Sequence, residues 1–191
     1  EAISSQNKLL VKEIKDQKKG SLSINKIAKD DIDQSIKTVL KMAESSMQDE
    51  SYDISEYQEA ESFSKGNKEP ALNTMYDRME EFMDYSANTF PTTIIEQAIL
   101  DFSSGTSYYR NSNGVSFDES EGSYSFSVMF TSKEGKDISS FNSAGFSSLD
   151  IDLALHEGGS INRLLEESAA HVRTKAVPNK FTGDIIVTPD C

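Results

Sequence analysis

Residues 123 to 132, SYSFSVMFTS, alternate between large apolar side chains and side chains that are small or polar except at Met129. The large side chains are Tyr124, Phe126, Val128 and Phe130. Because successive side chains of an extended chain point to opposite faces, this pattern predicts a long, half-buried β-strand. A slip of one residue in its pairing would turn all four large side chains toward water. We expect this strand to be central to the fold.

Turn residues divide the neighbouring sequence into a series of further strands. The predicted strands are 94 to 102, 106 to 111, 114 to 118, 122 to 132 and 136 to 146, with turns at Gly105, Asn113-Gly114 and Glu134-Gly135. Asn-Gly is typical of a two-residue type I′ turn, in which both central residues need a positive φ. The apolar run GDIIVTP, residues 183 to 189, predicts a last strand.

Helices and a second hairpin are predicted around this meander. Apolar residues recur at helical spacing in residues 30 to 47, 71 to 87 and 160 to 175, with Asp30 and Ser160 as candidate N-caps. Leu72, Met75, Met79, Phe82 and Met83 share a face, which is either a core face or an adaptable methionine-rich binding surface. Residues 8 to 15 and 20 to 24 predict a hairpin with a loop at 16 to 20. The fold class is therefore α+β, an antiparallel meander with helices packed on one face.

The acidic residues of the chain are concentrated after the first predicted helix. Residues 49 to 63 hold six acidic side chains and no Lys or Arg. Such a segment is typical of a solvated linker, and we expect residues 49 to 69 to be mobile. An acidic cation cage is the alternative, although the spacing matches no calcium-binding loop.

Composition limits the classes of partner. The 191 residues include 19 basic and 32 acidic side chains, and the net charge of -13 argues against direct nucleic-acid binding. No apolar run approaches the ~18 residues of a membrane span, and the first residues lack a signal-peptide core. The single cysteine, Cys191, cannot form an internal disulfide. These features predict a cytoplasmic protein that binds no membrane.

Sequence patterns for catalysis are scarce. His156 begins HEGGS, but an HExxH zinc motif requires a histidine where Ser160 stands. We interpret His156 as a loop or capping residue. His171 falls at a helix C-terminus, where the helix dipole favours it. No phosphate-binding loop or nucleophile elbow is present. We therefore predict no catalytic residue and no metal ligand in this chain.

Three stretches together carry a resemblance to a known family. They are VKEIKDQKKGSLSINKIAKDDIDQSIKTVLKMA, RNSNGVSFDESEGSYSFSVMFTSKEGKDISSFNS and LLEESAAHVRTKAVPNKFTGDIIVTPD. Their order and spacing resemble the N-terminal half of the TldD/PmbA family. The resemblance implies an N-terminal α+β domain, residues 1–178, of a longer protein. Residues 179–191 would then be the first strand that leads into a C-terminal domain.

The resemblance also implies a function. Family members are cytoplasmic and dimeric, and TldD pairs with PmbA (also called TldE) as a peptidase. The family is also named for modulation of DNA gyrase. TldD-type members bind zinc through HExxxH and a later cysteine in their C-terminal half, a motif that this sequence lacks. The chain reads FNSAGFS where TldD-type members tend to have GGR, which favours the PmbA type. We expect no cofactor here, with zinc possible in a TldD-type partner or in the C-terminal half.

The turn RNSNG is the remaining candidate site. Arg110, Asn111, Ser112, Asn113 and Gly114 are either a plain turn or contacts at a substrate cleft or dimer interface. An open antiparallel sheet can bind an unfolded peptide as an added strand. Two hypotheses follow. The chain is a substrate-handling and assembly domain, as a homodimer or with a TldD-like subunit, or it is a non-enzymatic module that modulates a partner such as DNA gyrase.

Overall fold

The computed structural model describes residues 4–173, 179–180 and 182–187. In chain order the elements are β1 (Leu9–Lys15), β2 (Lys18–Ile24), α1 (Lys29–Ser45), β3 (Glu61–Lys65), α2 (Leu72–Thr89), β4 (Thr93–Arg110), β5 (Ser116–Glu134), β6 (Asp137–Ile138), β7 (Asn142–Ser148), a 3₁₀ turn (Leu155–Glu157) and α3 (Ile161–Ala170). Across these ranges the helices lack an apolar stretch of membrane-spanning length. The α+β prediction is confirmed.

The chain divides into two compact units. The hairpin–helix unit contains the residues up to Ser62 together with Tyr108–Asp118, and the sheet unit contains Phe63–Ser107 and the residues from Glu119 onward. Strands β4 and β5 contribute residues to both units. One domain over residues 1–178 stays a prediction.

In the hairpin–helix unit, α1 packs against the antiparallel pair β1–β2. The predicted hairpin is confirmed, but its loop is only Asp16–Gln17, whose φ values are 52° and 58°. Two positive φ values are the requirement of a type I′ turn. Val39 and Ala43 of α1 are buried. The hairpin approaches the helix most closely at Gly20, where a Cβ would come within 2.2 Å of the Val39 carbonyl oxygen.

In the sheet unit, β5 is the central strand. It pairs with β4 on one side and with β3, β7 and β6 on the other. Its side chains alternate as predicted, and the inward-facing Tyr124, Phe126, Val128 and Phe130 are each at most 1% exposed. The last three form one core cluster with Phe82 of α2, Leu155 of the 3₁₀ turn, and Ile161 and Leu165 of α3. Helices therefore cover one face of this sheet.

The strands are longer and fewer than the turn residues predicted. No turn occurs at Gly105, since β4 continues through it, and the predicted strands 114 to 118 and 122 to 132 are parts of the single strand β5 (Ser116–Glu134). The predicted strand 136 to 146 is instead divided into β6 and β7. The prediction at Gly105 was wrong because a glycine ends a strand only where the backbone must turn. Cross-strand pairing with β5 keeps this one extended.

Helix ends also differ from the predicted caps. Helix α1 begins at Lys29 after Ala28, so Asp30 is not the N-cap but lies in the first turn, where the helix dipole favours its charge. Ser160 occupies the N-cap position of α3 but makes no side-chain capping bond. On α2, Phe82 is buried and Met79 packs against the core, whereas Leu72 and Met83 are exposed. The core face of α2 is therefore narrower than predicted.

Two segments differ from their predicted assignment, one predicted as a linker and the other as a strand. The segment predicted as a linker, 49 to 69, contains strand β3, which pairs with β5. Its mobility stays a prediction. The predicted last strand is not formed over residues 182–187, where no described strand pairs with them and Ile185 and Ile186 are almost fully exposed. Residues 188 to 191 lie outside the described residues.

Candidate functional site

The RNSNG turn is a three-residue loop and not the predicted type I′ turn. Gly114 has φ 88°, but Asn113 is absent from the residues with positive φ. The Gly114 N–H donates to the Asn111 carbonyl (3.2 Å), and the Asn111 N–H donates to the Val115 carbonyl (3.3 Å). A turn followed by a left-handed glycine is the usual three-residue hairpin loop. Glycine is needed at the third loop position because it alone adopts this φ without strain.

The polar side chains of the turn are occupied by neighbouring groups. The Asn111 Oδ1 accepts bonds from the backbone N–H groups of Asn113 and Val115, both at 3.0 Å. The Arg110 guanidinium pairs with Asp118 at 2.6 Å and donates to the Phe117 carbonyl at 2.8 Å. These bonds fix the loop and the strand ends beside it.

The same turn holds the acidic segment. The Asn111 Nδ2 donates to the Ser55 carbonyl at 2.9 Å, and the Asn113 Nδ2 donates to the same carbonyl at 3.0 Å. The ring of Tyr57 lies against Gly114. At the start of the segment, hydrogen bonds from the hydroxyl and the N–H of Ser51 lower the pKa of Asp49. These contacts explain the turn residues by structure, and a binding role for them stays a prediction.

Asn111→Ala should destabilise the hairpin–helix unit by about 1–3 kcal/mol. The substitution removes the acceptor for two backbone N–H groups, one of them on buried Val115, and one bond to residue 55. Urea unfolding and limited proteolysis of residues 54 to 57 measure the effect. Ser112→Ala, in the same turn, is the matched control. Equal stability of the two variants would contradict the structural role of Asn111.

The outer edge of β4 is a second candidate site, which the sequence analysis missed. Strand β4 has 18 residues, and no described strand pairs with the edge opposite β5. Proteins usually protect such edges with lysine, proline or a bulge. Strand β4 contains neither Lys nor Pro. Its burial alternation shifts at Glu96–Gln97, which are both exposed, and this one-residue shift is typical of a β-bulge. Beyond the bulge Asp101 is charged, but residues 102 to 109 carry no charged side chain that would protect the edge.

The pairing of β4 with β5 determines which backbone groups face this edge. The hydroxyl pairs Thr93–Ser132 and Thr106–Ser120 run in opposite directions along the two strands, so the pairing is antiparallel. Because Asn111 bonds to Val115 through the backbone, the odd-numbered residues after the bulge pair with β5. The N–H and C=O groups that face the free edge belong to Leu100, Phe102, Ser104 and Thr106.

A polar groove of about 390 Å³ lies beside this edge. It is lined by Ser103, Ser104, Gly105, Ser107, Glu119, Glu121 and Ser123. The groove lies on the face of β4–β5 opposite the core, since Phe102 and Tyr124 pack together on the other face. Glu119 pairs with Lys65 of β3 at 3.5 Å. The groove is therefore negatively charged and carries hydroxyl groups.

Neither histidine lies in a cluster of side chains that resembles a catalytic site among the described residues. The His156 ring stacks on Tyr85 at 3.7 Å, and its Nδ1 is buried without a hydrogen-bond partner. His171 is the C-cap of α3 and is exposed. The buried hydroxyl of Ser168 bonds to those of Ser132 (3.0 Å) and Ser139 (3.1 Å), and none of the three has a histidine partner among the described residues. They tie β5 to α3.

The fold resembles that of a solved structure. TldE from Thermococcus kodakarensis superposes with a TM-score of 0.63 over 85% of this chain, at 15% sequence identity. The chain has a TldD/PmbA-type fold. No protein-family model and no curated protein matches its sequence.

The match to TldE has a limited extent. The chain spans 36% of the length of TldE. Since the sequences are only 15% identical, the comparison shows the fold alone, and the PmbA (TldE) subtype stays a prediction. Within residues 4–173, 179–180 and 182–187, no three His, Cys, Asp or Glu side chains lie together as a metal site would require.

Proposed function

We propose that this chain is a substrate-handling and assembly domain of a TldD/PmbA-type peptidase system, and that it binds unfolded peptide along the free edge of β4. The unprotected edge of β4 carries this proposal. An extended peptide can add to such an edge through main-chain hydrogen bonds, which are independent of sequence. Such binding suits a peptidase that acts on unfolded chains.

The proposal also divides the chemistry between this chain and residues outside it. The described residues bring no zinc ligands together. In the proposed system, zinc is held by a TldD-like partner subunit or by C-terminal residues of a longer chain. This chain, as a homodimer or beside that subunit, holds the peptide extended. A cytoplasmic location agrees with this role, and the net charge of -13 disfavours nucleic acid as a direct ligand.

Peptide binding by strand addition has a specific test. A fluorescein-labelled, disordered peptide of about ten residues, the upper range of strand lengths, is titrated with the chain and followed by anisotropy. One further peptide carries N-methyl groups on alternate residues, which leaves one of its two edges with N–H donors, and another carries them on every central residue. Because N-methylation removes the N–H donor, the alternately methylated peptide should bind and the fully methylated one should not. Equal binding of all three peptides would exclude strand addition.

A proline pair on β4 tests the location of the site. Ser104→Pro removes an N–H that faces the free edge, so the fold should persist while peptide binding falls at least tenfold, the loss of about one main-chain bond. Ser104→Ala should bind normally. Ser103→Pro removes an N–H that pairs with β5, so it should lower stability instead. If Ser104→Pro is folded and binds peptide like the unmodified chain, β4 is not the site. If the peptide binds neither the unmodified chain nor any variant, the alternative function is favoured, in which the chain is a module that modulates a protein partner.

A further inference from the structure

Gly105 is a glycine that neither its backbone nor its packing explains. Its φ is not in the left-handed region, and a Cβ built on it meets no atom within 4 Å. Glycine weakens the interior of a strand by roughly 0.5–1 kcal/mol relative to alanine. A glycine in a strand often marks a place where a ligand approaches closely. At Gly105 the open space is the floor of the groove beside the free edge of β4.

The residues across β4 from this edge are acidic. In the register given by the pair Thr106–Ser120, Gly105 lies directly opposite Glu121, and Ser107 lies opposite Glu119. All four point to the same face of the two strands. A peptide strand added to β4 would lie about 5 Å from β4 and about 10 Å from β5. Its side chain opposite Gly105 would point to the face that carries Glu121.

Gly105 leaves the path between that side chain and Glu121 open. Any larger residue at this position would stand between them. A long, flexible side chain can therefore cross the backbone at Gly105 and bring its end group to the carboxylates. Lysine and arginine have both the length and the opposite charge. In the same register Ser103, Ser107 and Ser123 lie on the face of Glu121, and their hydroxyls can accept further bonds from an ammonium or guanidinium group.

We infer that the groove at Gly105 selects peptides with a lysine or arginine side chain at the position opposite it. This inference rests on the proposed peptide binding at β4 and names the substrate class of that site. The acidic balance of the whole chain acts in the same direction, because it attracts basic peptides over a longer range. Glu121 is the main specificity residue. Glu119, which already pairs with Lys65, contributes less.

The test compares two peptides of about ten residues that differ only at one central position, lysine in one and norleucine in the other. Norleucine keeps the aliphatic chain and removes the charge. The lysine peptide should bind the unmodified chain about fivefold more tightly at low salt, as expected for an exposed ion pair. Glu121→Gln should remove most of that preference, since only the weaker contributions of Glu119 and of the net charge remain. Gly105→Val should reduce the preference similarly, since its branched side chain blocks the path while favouring the strand.

The outcomes separate this inference from the proposed function. If both peptides bind equally and Ser104→Pro weakens both, strand addition stands and the basic-residue selectivity is wrong. A lysine preference that stays about fivefold in Glu121→Gln also overturns it. If neither peptide binds, the proposed function fails and the selectivity fails with it. Circular dichroism of the variants verifies that each loss of preference occurs in a folded chain.

Discussion

Phe126→Ala should lower the free energy of unfolding by about 3–5 kcal/mol, the usual cost of truncating a buried phenylalanine. Phe126 is 1% exposed, and its ring meets that of Phe82 edge-on at 5.0 Å and that of Phe146 at 6.1 Å. The substitution leaves a cavity between β5, β7 and α2. Since small domains are stable by only about 5–15 kcal/mol, the loss is a large fraction of the total. Urea unfolding followed by circular dichroism measures it.

Ser125→Ala is the matched control on the same strand. Ser125 is exposed on the opposite face, where its hydroxyl lies 3.5 Å from that of Ser147. Its replacement should change the free energy of unfolding by less than about 0.5 kcal/mol. Similar midpoints for the two variants would show that the core face of β5 is misassigned.

Gly20→Ala should destabilise the hairpin–helix unit by about 3 kcal/mol or more, at the upper end of overpacking effects. The added methyl group would come within 2.2 Å of the Val39 carbonyl oxygen and 2.8 Å of the Ala43 nitrogen. Both are backbone atoms of α1, so no side-chain rotation can relieve the contact. The helix and the hairpin must separate. Thermal unfolding and the protease sensitivity of α1 measure the effect.

Gly105→Ala makes the same chemical change where space is available. No atom lies within 4 Å of the added Cβ. This variant should be neutral or slightly more stable, because alanine restricts the unfolded chain more than glycine does. If Gly20→Ala were as stable as Gly105→Ala, the close approach of β2 to α1 would be wrong.

The long-period features of the fold could be predicted from sequence. The alternation from Tyr124 to Phe130 identified both the central strand and its buried face, since a half-buried strand has a period of two residues. The spacing Ile161, Leu164 and Leu165 likewise identified α3 and its core side. These patterns result directly from the burial of one face, so they can be recognised in a single sequence.

Local backbone choices could not be predicted in the same way. A type I′ turn occurs at Asp16–Gln17, which lacks the glycine that usually signals it, whereas Asn113-Gly114 forms a different loop because the Asn111 side chain bonds across it. Gly105 is a residue type that favours turns, but no turn forms there. A side chain within the turn decides the loop at Asn113-Gly114, and pairing with β5 decides the backbone at Gly105. The free edge of β4 was missed because edge position depends on strand order, which no periodicity records.

The hairpin–helix unit is not continuous in sequence, and this affects folding on the ribosome. Residues up to Ser62 are synthesised well before Tyr108–Asp118, which completes the unit. At about 5–20 residues per second, the delay is about 3–11 s. During that time β1 can pair with β2, and α1 can pack against the two strands. Residues 54 to 57 have no Asn111 or Asn113 amide to bind until the β4–β5 turn emerges, so the nascent chain exposes them to proteases and chaperones for the whole interval.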